Sequence, residues 1–479
     1  MQSKIGTTRR PLRVAIIGAG PSGFYAAGAL LEQNNIQVSI DIFDRLPTPY
    51  GLVRDGVAPD HQRIKSVTRI YHKTAADPRV RFFGNVSFGT HITHDGLRRY
   101  YDQVVYAVGC PSDRKLGIPG EDLIGSDPAT IFVGWYNGRP DHAHLDFDLT
   151  AENVAVVGNG NVAMDVTRIL AKPAKALEGT DITDHALERL RESRVKRIHV
   201  LGRRGPAQAK FTNPELRELG EIEGVDIIVD PQDLELDPYS QKVVEEDKQI
   251  ARNLRTLREF AEQGSTGRSR QIHLRFFVSP VEILGEHGHV TGVRLEHNEL
   301  QPTESGYLQA VGTGCYETLP IELIFRAIGY KGVPLPGVPY EPRRGTIPNR
   351  EGRVIDPETR HPVMGEYVVG WAKRGPTGVI GTNKADAVET VEHMLEDAHR
   401  IAPVDDARAD PWTAEKWIRE QQPQYVTFDD WLILNQIETE RGKPFGRPRV
   451  KFCNVQAMLD AIARERQKTA TREEDAWPG

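Results

Sequence analysis

Short apolar runs alternate along the chain with longer amphipathic segments, a pattern that predicts buried parallel strands separated by helices. Residues 14–17 form one such run and residues 154–157 form another, and both lead directly into a glycine-rich turn. Apolar residues recur at helical spacing after each turn, as expected for a strand–turn–helix unit. Two further apolar runs, 104–109 and 323–329, also end in glycine and bracket the second unit. The pattern predicts an α/β protein.

The first glycine-rich turn has the spacing of a dinucleotide-binding loop. Residues 14–23 read VAIIGAGPSG and place Gly18, Gly20 and Gly23 ahead of a helix predicted over about Pro21 to Gln33. The first glycine permits the tight turn, the second lets a diphosphate approach the backbone, and the third lets the helix pack closely on the strand. Ordinary turns also contain this motif, so its context decides between the two interpretations.

A carboxylate follows the next predicted strand at the position where a ribose is bound. The strand covers Val38 to Phe43 and ends at Asp44, 21 residues after Gly23. Rossmann folds place an acidic residue about 20 residues beyond the loop, where it accepts hydrogen bonds from ribose hydroxyls. We predict this role for Asp44; the alternative is a solvated carboxylate at the end of a strand.

The chain repeats this design at residues 154–163, which read VAVVGNGNVA. Gly158, Gly160 and Ala163 take the three glycine positions, and the pattern allows alanine at the third. The start of the following helix presents backbone N–H groups to a diphosphate over Asn159 to Val162. Two dinucleotide loops in one chain are a more specific signal than one.

Two arginines distinguish the second loop from the first. The next strand, Ile198 to Leu201, leads into Arg203 and Arg204, near the position where an NAD site would carry a carboxylate. Guanidinium groups match phosphate oxygens bidentately, which favours NADP and its 2′-phosphate. The alternative is that both arginines only occupy a surface loop. A predicted helix over Thr183 to Arg191 fills the stretch before this strand.

Two sites of these kinds predict hydride transfer from NADPH to FAD, chemistry that belongs to the cofactors. The predicted fold is α/β with two Rossmann-like dinucleotide-binding domains, in which the NADP-binding domain is inserted into a discontinuous FAD-binding domain. The predicted FAD-binding domain covers 1–108 and 329–479, including a C-terminal helical extension, and the predicted NADP-binding domain covers 109–328.

A third glycine-rich loop, residues 375–384 (GPTGVIGTNK), joins a strand predicted over Gly365 to Trp371 to another helical pattern. Such a loop can direct backbone N–H groups and the positive end of a helix dipole toward the electron-rich edge of a reduced flavin. We predict this role for Gly378, Val379 and Ile380; the alternative is an ordinary glycine-rich turn.

Composition argues against several other classes of protein. Cys110, Cys315 and Cys453 lie far apart without a C-x-x-C pair, which argues against a dithiol relay or a metal site held by thiolates. We predict no metal. Lys plus Arg number 61 against 67 Asp plus Glu, a balance that does not attract nucleic acid. Since neither an apolar stretch of about 18 residues nor a secretory signal occurs, we expect no membrane span and a cytoplasmic location.

Four longer motifs are YGLVRDGVAPDH at 50–61, GNGNVAMD at 158–165, GRRGP at 202–206 and VVGWAKRGPTGVIGTNK at 368–384. Together they closely resemble the motifs of adrenodoxin-reductase-type ferredoxin–NADP reductases, especially the bacterial, mycobacterial-like members. The likeness extends from about residue 12 to 398. It implies an FAD domain made from both chain ends, an inserted NADP domain, and electron transfer from NADPH through FAD to a ferredoxin.

The resemblance also implies which residues contact the cofactors. For FAD these are Pro21, Asp44, Leu52, Val86, Trp371 and the backbone of Gly378 to Ile380. For NADP they are Arg114, Asn159, Gly160, Asn161, Val162, Arg203, Arg204, Glu215 and the shared Gly378. The family more often has glutamate where this chain has Asp44, so a shorter side chain would make the ribose contact here.

His61 and Asp165 are the catalytic residues that the resemblance implies. It places them as a facing pair near the nicotinamide and flavin rings. Histidine has a pKa suited to carrying the proton that a flavin must lose after its reduction by hydride. The alternative is that His61 only caps a helix.

A basic segment predicts where a protein partner docks. Residues 60–76 are predicted to form one helix with Ile64, Val67, Ile70 and Tyr71 on one face and basic residues elsewhere. Because ferredoxins are usually acidic, a positive surface would attract an acidic ferredoxin-type iron–sulfur protein. Further basic residues are Lys210, Arg217, Lys373 and Arg374. The alternative is a solvated helix face.

Beyond about residue 400 the chain carries four of its six tryptophans. Trp412, Trp417 and Trp431 are predicted to pack a small helical unit against the flavin domain. The polar tail from about Gln467, which includes Trp477, is expected to fray.

Two other functions remain open at this point. A flavoprotein resembling the small subunit of glutamate synthase shares these motifs, although the cysteine-rich cluster ligands of such chains do not occur here. A nucleotide-binding redox sensor would keep both folds without turnover.

Overall fold

The structure, a computed structural model, describes residues 4–304 and 306–475, with side chains as far as residue 468. Trp477 therefore lies outside the described residues. By its internal contacts the chain divides into two units. Unit 1 holds the described residues up to 57, residues 61–112 and the described residues from 330 onward, whereas unit 2 holds 58–60 and 113–329.

The strands of the described residues are β1 (Leu12–Ile17), β2 (Val38–Phe43), β3 (Val80–Phe83), β4 (Gln103–Tyr106), β5 (Ser112–Asp113), β6 (Ser126–Pro128), β7 (Asn153–Val157), β8 (Arg197–Leu201), β9 (Val225–Val229), β10 (Arg270–Arg275), β11 (Val278–Glu286), β12 (His289–Pro302), β13 (Leu308–Pro320), β14 (Leu323–Arg326), β15 (Tyr330–Lys331), β16 (Asn349–Arg350), β17 (Arg353–Ile355) and β18 (Pro362–Val368).

The α-helices of the described residues are α1 (Pro21–Leu31), α2 (Leu52–Asp55), α3 (Gln62–Lys65), α4 (Thr68–Ala75), α5 (His94–Tyr100), α6 (Ala129–Asn137), α7 (Asn161–Ala171), α8 (Asp184–Arg191), α9 (Asn213–Gly220), α10 (Pro238–Glu246), α11 (Lys248–Gln263), α12 (Trp371–Arg374), α13 (Thr382–Asp397), α14 (Asp406–Ala409), α15 (Pro411–Gln421), α16 (Phe428–Gly442) and α17 (Val455–Asp475).

The main sheet of unit 1 has the order β16-β17-β18-β4-β1-β2-β3. The pairs from β18 through β4, β1 and β2 to β3 are parallel, and the short strands β16 and β17 add an antiparallel edge. Every residue of β1 is buried, as expected for the central strand of a sheet covered on both faces. The glycine turn after β1 consequently lies at the carboxyl edge of the sheet, between the ends of β2 and β4.

Unit 2 contains a second parallel sheet, with the order β6-β14-β7-β8-β10-β9. Its core includes Val156 on β7, Met164 on α7 and Ile198 on β8, all fully buried. An antiparallel sheet, β11-β12-β13, follows in the same unit. The predicted α/β class with two Rossmann-like folds is confirmed.

The single helix predicted for residues 60–76 is wrong, because the structure contains two short helices, α3 and α4, separated at Ser66 and Val67. Ser66 Oγ donates to the Arg63 carbonyl at 2.6 Å, and Thr68 Oγ1 donates to the Lys65 carbonyl at 2.8 Å. Hydroxyl groups that bond to nearby backbone compete with regular helix hydrogen bonding. The predicted apolar face is divided as well: Tyr71 is buried, whereas Ile64 and Ile70 are exposed.

The tryptophans of the C-terminal part differ in burial. Trp431 is buried, and Trp417 stacks on Tyr100 with 4.9 Å between ring centroids. Trp412 is 73% exposed, so the prediction that it packs into this part of unit 1 is wrong. Helix α17 continues to Asp475, beyond the point near Gln467 where fraying was expected.

Two histidines of unit 2 give the fold a predicted pH dependence. His199 on β8 and His273 on the neighbouring β10 stack with 4.7 Å between ring centroids. Burial, together with its neighbour and nearby arginines, lowers the pKa of His199 to about 3, and burial lowers the pKa of His273. Because the unfolded chain takes up these protons near pH 6.5 and the folded chain does not, stability falls as the pH drops below that value.

Replacing His199 by Gln should therefore reduce the loss of thermal stability between pH 7 and pH 5. The effect is bounded by about 1.4 kcal/mol per pH unit for one proton. Melting curves across this range measure it, and His289→Gln, at an exposed position of the same unit, is the control. Parallel pH profiles for His199→Gln and the wild type would contradict the assignment.

Candidate active site

The first glycine loop shows a different environment at each glycine. Gly18 has φ of +111°, and a Cβ there would lie 2.4 Å from the Ala107 carbonyl oxygen. A Cβ on Gly23 would lie 2.1 Å from the Gly18 carbonyl oxygen, so both positions need glycine for packing. A Cβ on Gly20 would meet no atom within 4 Å. Gly20 begins α1 without a side-chain cap, so this open space borders bare helix N–H groups that suit a diphosphate.

Asp44 lies beside this loop, at the end of β2. Its carboxylate accepts hydrogen bonds from the backbone N–H groups of Ala19 and Leu46, both at 3.0 Å. The carbonyl of Asp44 accepts the N–H of the buried Val86 at 2.8 Å. Asp44 therefore braces the loop from within the protein, and its contact with a ribose stays a prediction. The backbone N–H of Val86 is already used by this bond.

The turn at Tyr50 and Gly51, directly before α2, approaches the same loop. In this segment the resemblance implies an FAD contact only for Leu52, the first residue of α2. Tyr50 donates its backbone N–H to the Ala19 carbonyl at 2.8 Å. It adopts φ of +87°, which is costly for a residue with a side chain. A Cβ on Gly51 would lie 3.0 Å from Gly20 Cα, so the turn and the loop are in close backbone contact. The Tyr-Gly pair between Pro49 and α2 was the signal in the sequence for such a turn.

Trp371 begins α12, directly after β18 and Gly370. Its ring lies 5.1 Å from that of Tyr330. The indole Nε1 is buried and has no hydrogen-bond partner among the described residues. A buried N–H without an acceptor costs about 1–3 kcal/mol, so an acceptor from a bound group would fit here. This geometry fits the predicted contact of Trp371 with FAD.

The loop before α13 contains Gly378, Val379 and Ile380. The N–H of Val379 donates to Thr382 Oγ1 at 3.2 Å, so this group is engaged within the protein. The N–H groups of Gly378 and Ile380 make no hydrogen bond within residues 4–304 and 306–475. Two of the three predicted donors are thus available to a flavin.

The second glycine loop, in unit 2, reproduces the first. Gly158 has φ of +126°, and a Cβ there would lie 2.4 Å from the Ala327 carbonyl oxygen. A Cβ on Gly160 would have its nearest contact at 3.9 Å, with Lys210. Asn161 Oδ1 accepts the Thr212 N–H at 2.8 Å, which fixes the first turn of α7, where Val162 follows. The carbonyl of Asn159 accepts the N–H groups of Lys210 and Phe211 at 2.9 and 3.0 Å.

The two arginines after β8 have different surroundings. The Arg204 guanidinium lies 5.2 Å from the Tyr307 ring centroid and donates to its hydroxyl at 2.7 Å. Arg203 is exposed, and its carbonyl accepts a bond from Asn298 at 2.9 Å. Tyr307 had no recognisable signal in the sequence, because it lies directly before β13 in a segment without a motif. The contact orients Arg204 at the surface beside the second loop.

The other predicted NADP contacts are spread over unit 2. Arg114 is exposed, and its N–H donates to the Gly329 carbonyl at 3.1 Å. Glu215 lies half-buried in the first turn of α9. Their contacts with NADP stay predictions.

Asp165 belongs to a cluster of charges around the buried Arg168. Arg168 donates to Asp165 at 2.6 Å and pairs with Asp60, which Lys172 also binds at 2.6 Å. Burial would raise the pKa of Asp60, but the charges and hydrogen bonds of Arg168 and Lys172 outweigh it and hold this pKa well below its usual value. Asp165 is therefore an ion-paired carboxylate.

His61 precedes α3 and supports its first turn through the backbone. Its carbonyl accepts the N–H groups of Ile64 and Lys65 at 3.0 and 3.2 Å. The proton-handling role of His61 and Asp165 stays a prediction.

Within the described ranges, no group of three or more His, Cys, Asp or Glu side chains is arranged to hold a metal ion. None of the helices formed by these residues is long and apolar enough to cross a bilayer.

Comparisons with known proteins agree with this geometry. A family model described as pyridine nucleotide-disulphide oxidoreductase matches residues 12–252. NADPH-ferredoxin reductase FprA of Mycobacterium leprae is 47% identical over 93% of this chain and 97% of its own length. The mitochondrial NADPH:adrenodoxin oxidoreductase of Arabidopsis thaliana is 38% identical over 95% of this chain and 96% of its own length.

Among solved structures, Mycobacterium tuberculosis FprA in complex with NADPH matches with a TM-score of 0.89 and 44% identity, covering 95% of this chain and all of that one. The two glycine loops on two parallel sheets thus define an oxidoreductase that uses FAD and NADP. The chain belongs to the adrenodoxin-reductase-type family of NADPH-ferredoxin reductases, which confirms the resemblance carried by its motifs.

Replacing Gly20 by Val should abolish tight FAD binding without unfolding unit 1. The added side chain enters space that the protein leaves open, where the diphosphate is predicted to lie. We expect the FAD dissociation constant to rise at least about tenfold, equivalent to about 1.4 kcal/mol. Flavin fluorescence after reconstitution of the apoprotein measures it. Gly179→Val, at another open glycine, is the control, and a Gly20→Val protein that retains FAD normally would contradict the assignment.

Replacing Arg203 and Arg204 by Ala should weaken NADPH much more than NADH. Each lost charged hydrogen bond to the 2′-phosphate is worth about 1.5–3 kcal/mol. The ratio of kcat/KM for the two nucleotides reports the change. Arg194→Ala is the matched control, because Arg194 is exposed and precedes β8, whereas Arg203 and Arg204 follow it. Unchanged discrimination between the nucleotides in the double variant would rule out this role.

Proposed function

We propose that the protein takes reducing equivalents from NADPH and delivers them to a ferredoxin-type iron–sulfur protein, with FAD at the loop of unit 1 and NADPH at the loop of unit 2. The observation that carries this assignment is the repeated opening at Gly20 and Gly160, each at the start of a helix without a side-chain cap. We assign unit 1 to FAD because it also holds Trp371 and the Gly378 loop, and unit 2 to NADPH because Arg203 and Arg204 follow β8.

When bound, FAD would supply the chemistry that links a two-electron hydride donor to a one-electron acceptor. The protein supplies binding and orientation. The first turn of α1 provides N–H groups for the diphosphate, and the buried Nε1 of Trp371 offers one further donor. The N–H groups of Gly378 and Ile380, near the start of α13, are donors suited to excess negative charge.

His61 is our candidate for carrying the proton released during flavin reoxidation. Asp165 is our candidate for the carboxylate that accompanies it. Because Arg168 pairs with Asp165 at 2.6 Å, this carboxylate is fixed in place and compensated. We therefore assign Asp165 an electrostatic role and no proton transfer of its own.

We propose that the partner is acidic and docks through exposed basic residues near His61. Arg63, Arg69 and Lys73 are exposed on α3 and α4, with the exposed Ile64 and Ile70 between them. Charges of one sign around apolar contacts favour fast association with a partner of opposite charge, and salt weakens it. We propose further that the protein acts in the cytoplasm and does not bind nucleic acid.

Two measurements on the purified protein test the proposal. Anaerobic addition of NADPH should bleach the flavin absorbance, and NADH should do so far less effectively. With ferredoxin present, NADPH should then drive reduction of cytochrome c, at a rate that falls as the ionic strength rises. Omitting ferredoxin is the control. A redox sensor would bleach without supporting transfer, so bleaching without ferredoxin-dependent reduction would refute the proposal.

A further inference from the structure

Part of the C-terminal region contacts two segments that carry candidate FAD contacts. We call residues 422–452 the C-terminal brace. At its first contact, Gly84 and Val426 exchange backbone hydrogen bonds of 2.8 and 2.9 Å, which extends the edge of the unit 1 sheet. Gln422 also donates to the Asn85 carbonyl at 3.0 Å. The brace is thereby fixed to the segment that leads into Val86.

The second contact is an ion pair between Glu438 of the brace and Arg54 of α2. The Glu438 side chain is fully buried, and Arg54 donates to both of its oxygens, at 2.5 and 2.8 Å. The same carboxylate accepts the Phe452 N–H at 2.9 Å and a bond from Arg449 at 3.1 Å. Four hydrogen bonds fill the acceptor positions of a carboxylate, and Arg54 takes two of them.

This arrangement keeps Glu438 charged in the interior. Burial would raise the pKa of Glu438, but the charges of Arg54 and Arg449 and the hydrogen bonds from Arg54 and the Phe452 N–H hold it below its usual value. The Arg54 guanidinium also lies 5.1 Å from the Trp431 ring centroid, and Lys451 Nζ donates to the Arg54 carbonyl at 3.2 Å. A buried ion pair often adds little net stability, because both charges lose their hydration.

The segment held in this way is the turn that meets the first glycine loop. The strained φ of Tyr50 persists only where the surroundings hold it, and the rings of Tyr50 and Trp431 form a T-shaped pair with 5.8 Å between their centroids. The Arg54 N–H donates to the Gly51 carbonyl at 3.0 Å, so a displacement of Arg54 is transmitted to Gly51 and from there to Gly20.

We propose that Glu438 is a positioning residue for the flavin. By holding Arg54 it fixes the turn of Tyr50 to Leu52 against the loop at Gly20. The inference rests on the proposed function, since it requires FAD at that loop. The C-terminal brace thereby has a role in cofactor binding, although its ion pair is made with Arg54 on α2 and not with the glycine loop itself.

The test compares Glu438→Gln with Glu440→Gln, an exposed glutamate two residues later on α16. The experiment measures the FAD dissociation constant and the visible circular dichroism and reduction potential of the bound flavin. It also measures the far-ultraviolet circular dichroism of the protein. Glu438→Gln should raise the FAD dissociation constant at least about tenfold. It should also change the visible spectrum and the potential while the far-ultraviolet spectrum stays the same. Glu440→Gln should match the wild type.

Arg54→Lys keeps the charge but not the bidentate geometry, so it should shift the same quantities in the same direction by less. It provides the test if Glu438→Gln does not fold. Either folded variant with wild-type FAD affinity, visible spectrum and potential would overturn the inference, even if its melting temperature were lower. A wild-type protein that binds no FAD would instead overturn the proposed function, and the inference with it.

Discussion

A diphosphate can lie against the start of a helix only where no side chain intervenes, and this requirement governs both units. Gly20 and Gly160 leave that space open, while Gly18 and Gly158 are each pressed against a carbonyl of a neighbouring strand end, at Ala107 and Ala327. Because these backbone contacts are so close, only glycine fits at either position, and each turn is kept tight. The strand order, the glycine positions and the chemistry of diphosphate binding therefore all follow from this one requirement.

The sequence predicted the parts of the molecule that depend on local spacing. Glycine intervals and apolar runs predicted both loops, and the position of Asp44 supported the first, because strand and helix periods are short-range properties. The division of residues 60–76 into α3 and α4 escaped prediction because a periodic pattern does not show where a hydroxyl of Ser66 or Thr68 displaces a helix hydrogen bond.

The sequence also did not predict contacts between distant parts of the chain. The pairing of Asp165 with Arg168 lay within one helix turn, but its connection to Asp60 required the folded chain. Likewise, Tyr307 beside Arg204, Trp431 beside Tyr50 and Glu438 beside Arg54 join segments whose proximity no local pattern encodes. Engagement of the Val379 N–H by Thr382 is a detail of loop conformation, which spacing alone does not determine.

The parallel pairing of β4 with β18 has a consequence for synthesis on the ribosome. The two strands are neighbours in the sheet, yet residues 113–329, nearly all of unit 2, are translated between them. Unit 2 is nearly contiguous and can fold as soon as it emerges, whereas the sheet of unit 1 must wait with β4 at an open edge until β18 arrives. During that interval β4 presents unpaired backbone groups along one side, where another chain can pair with it.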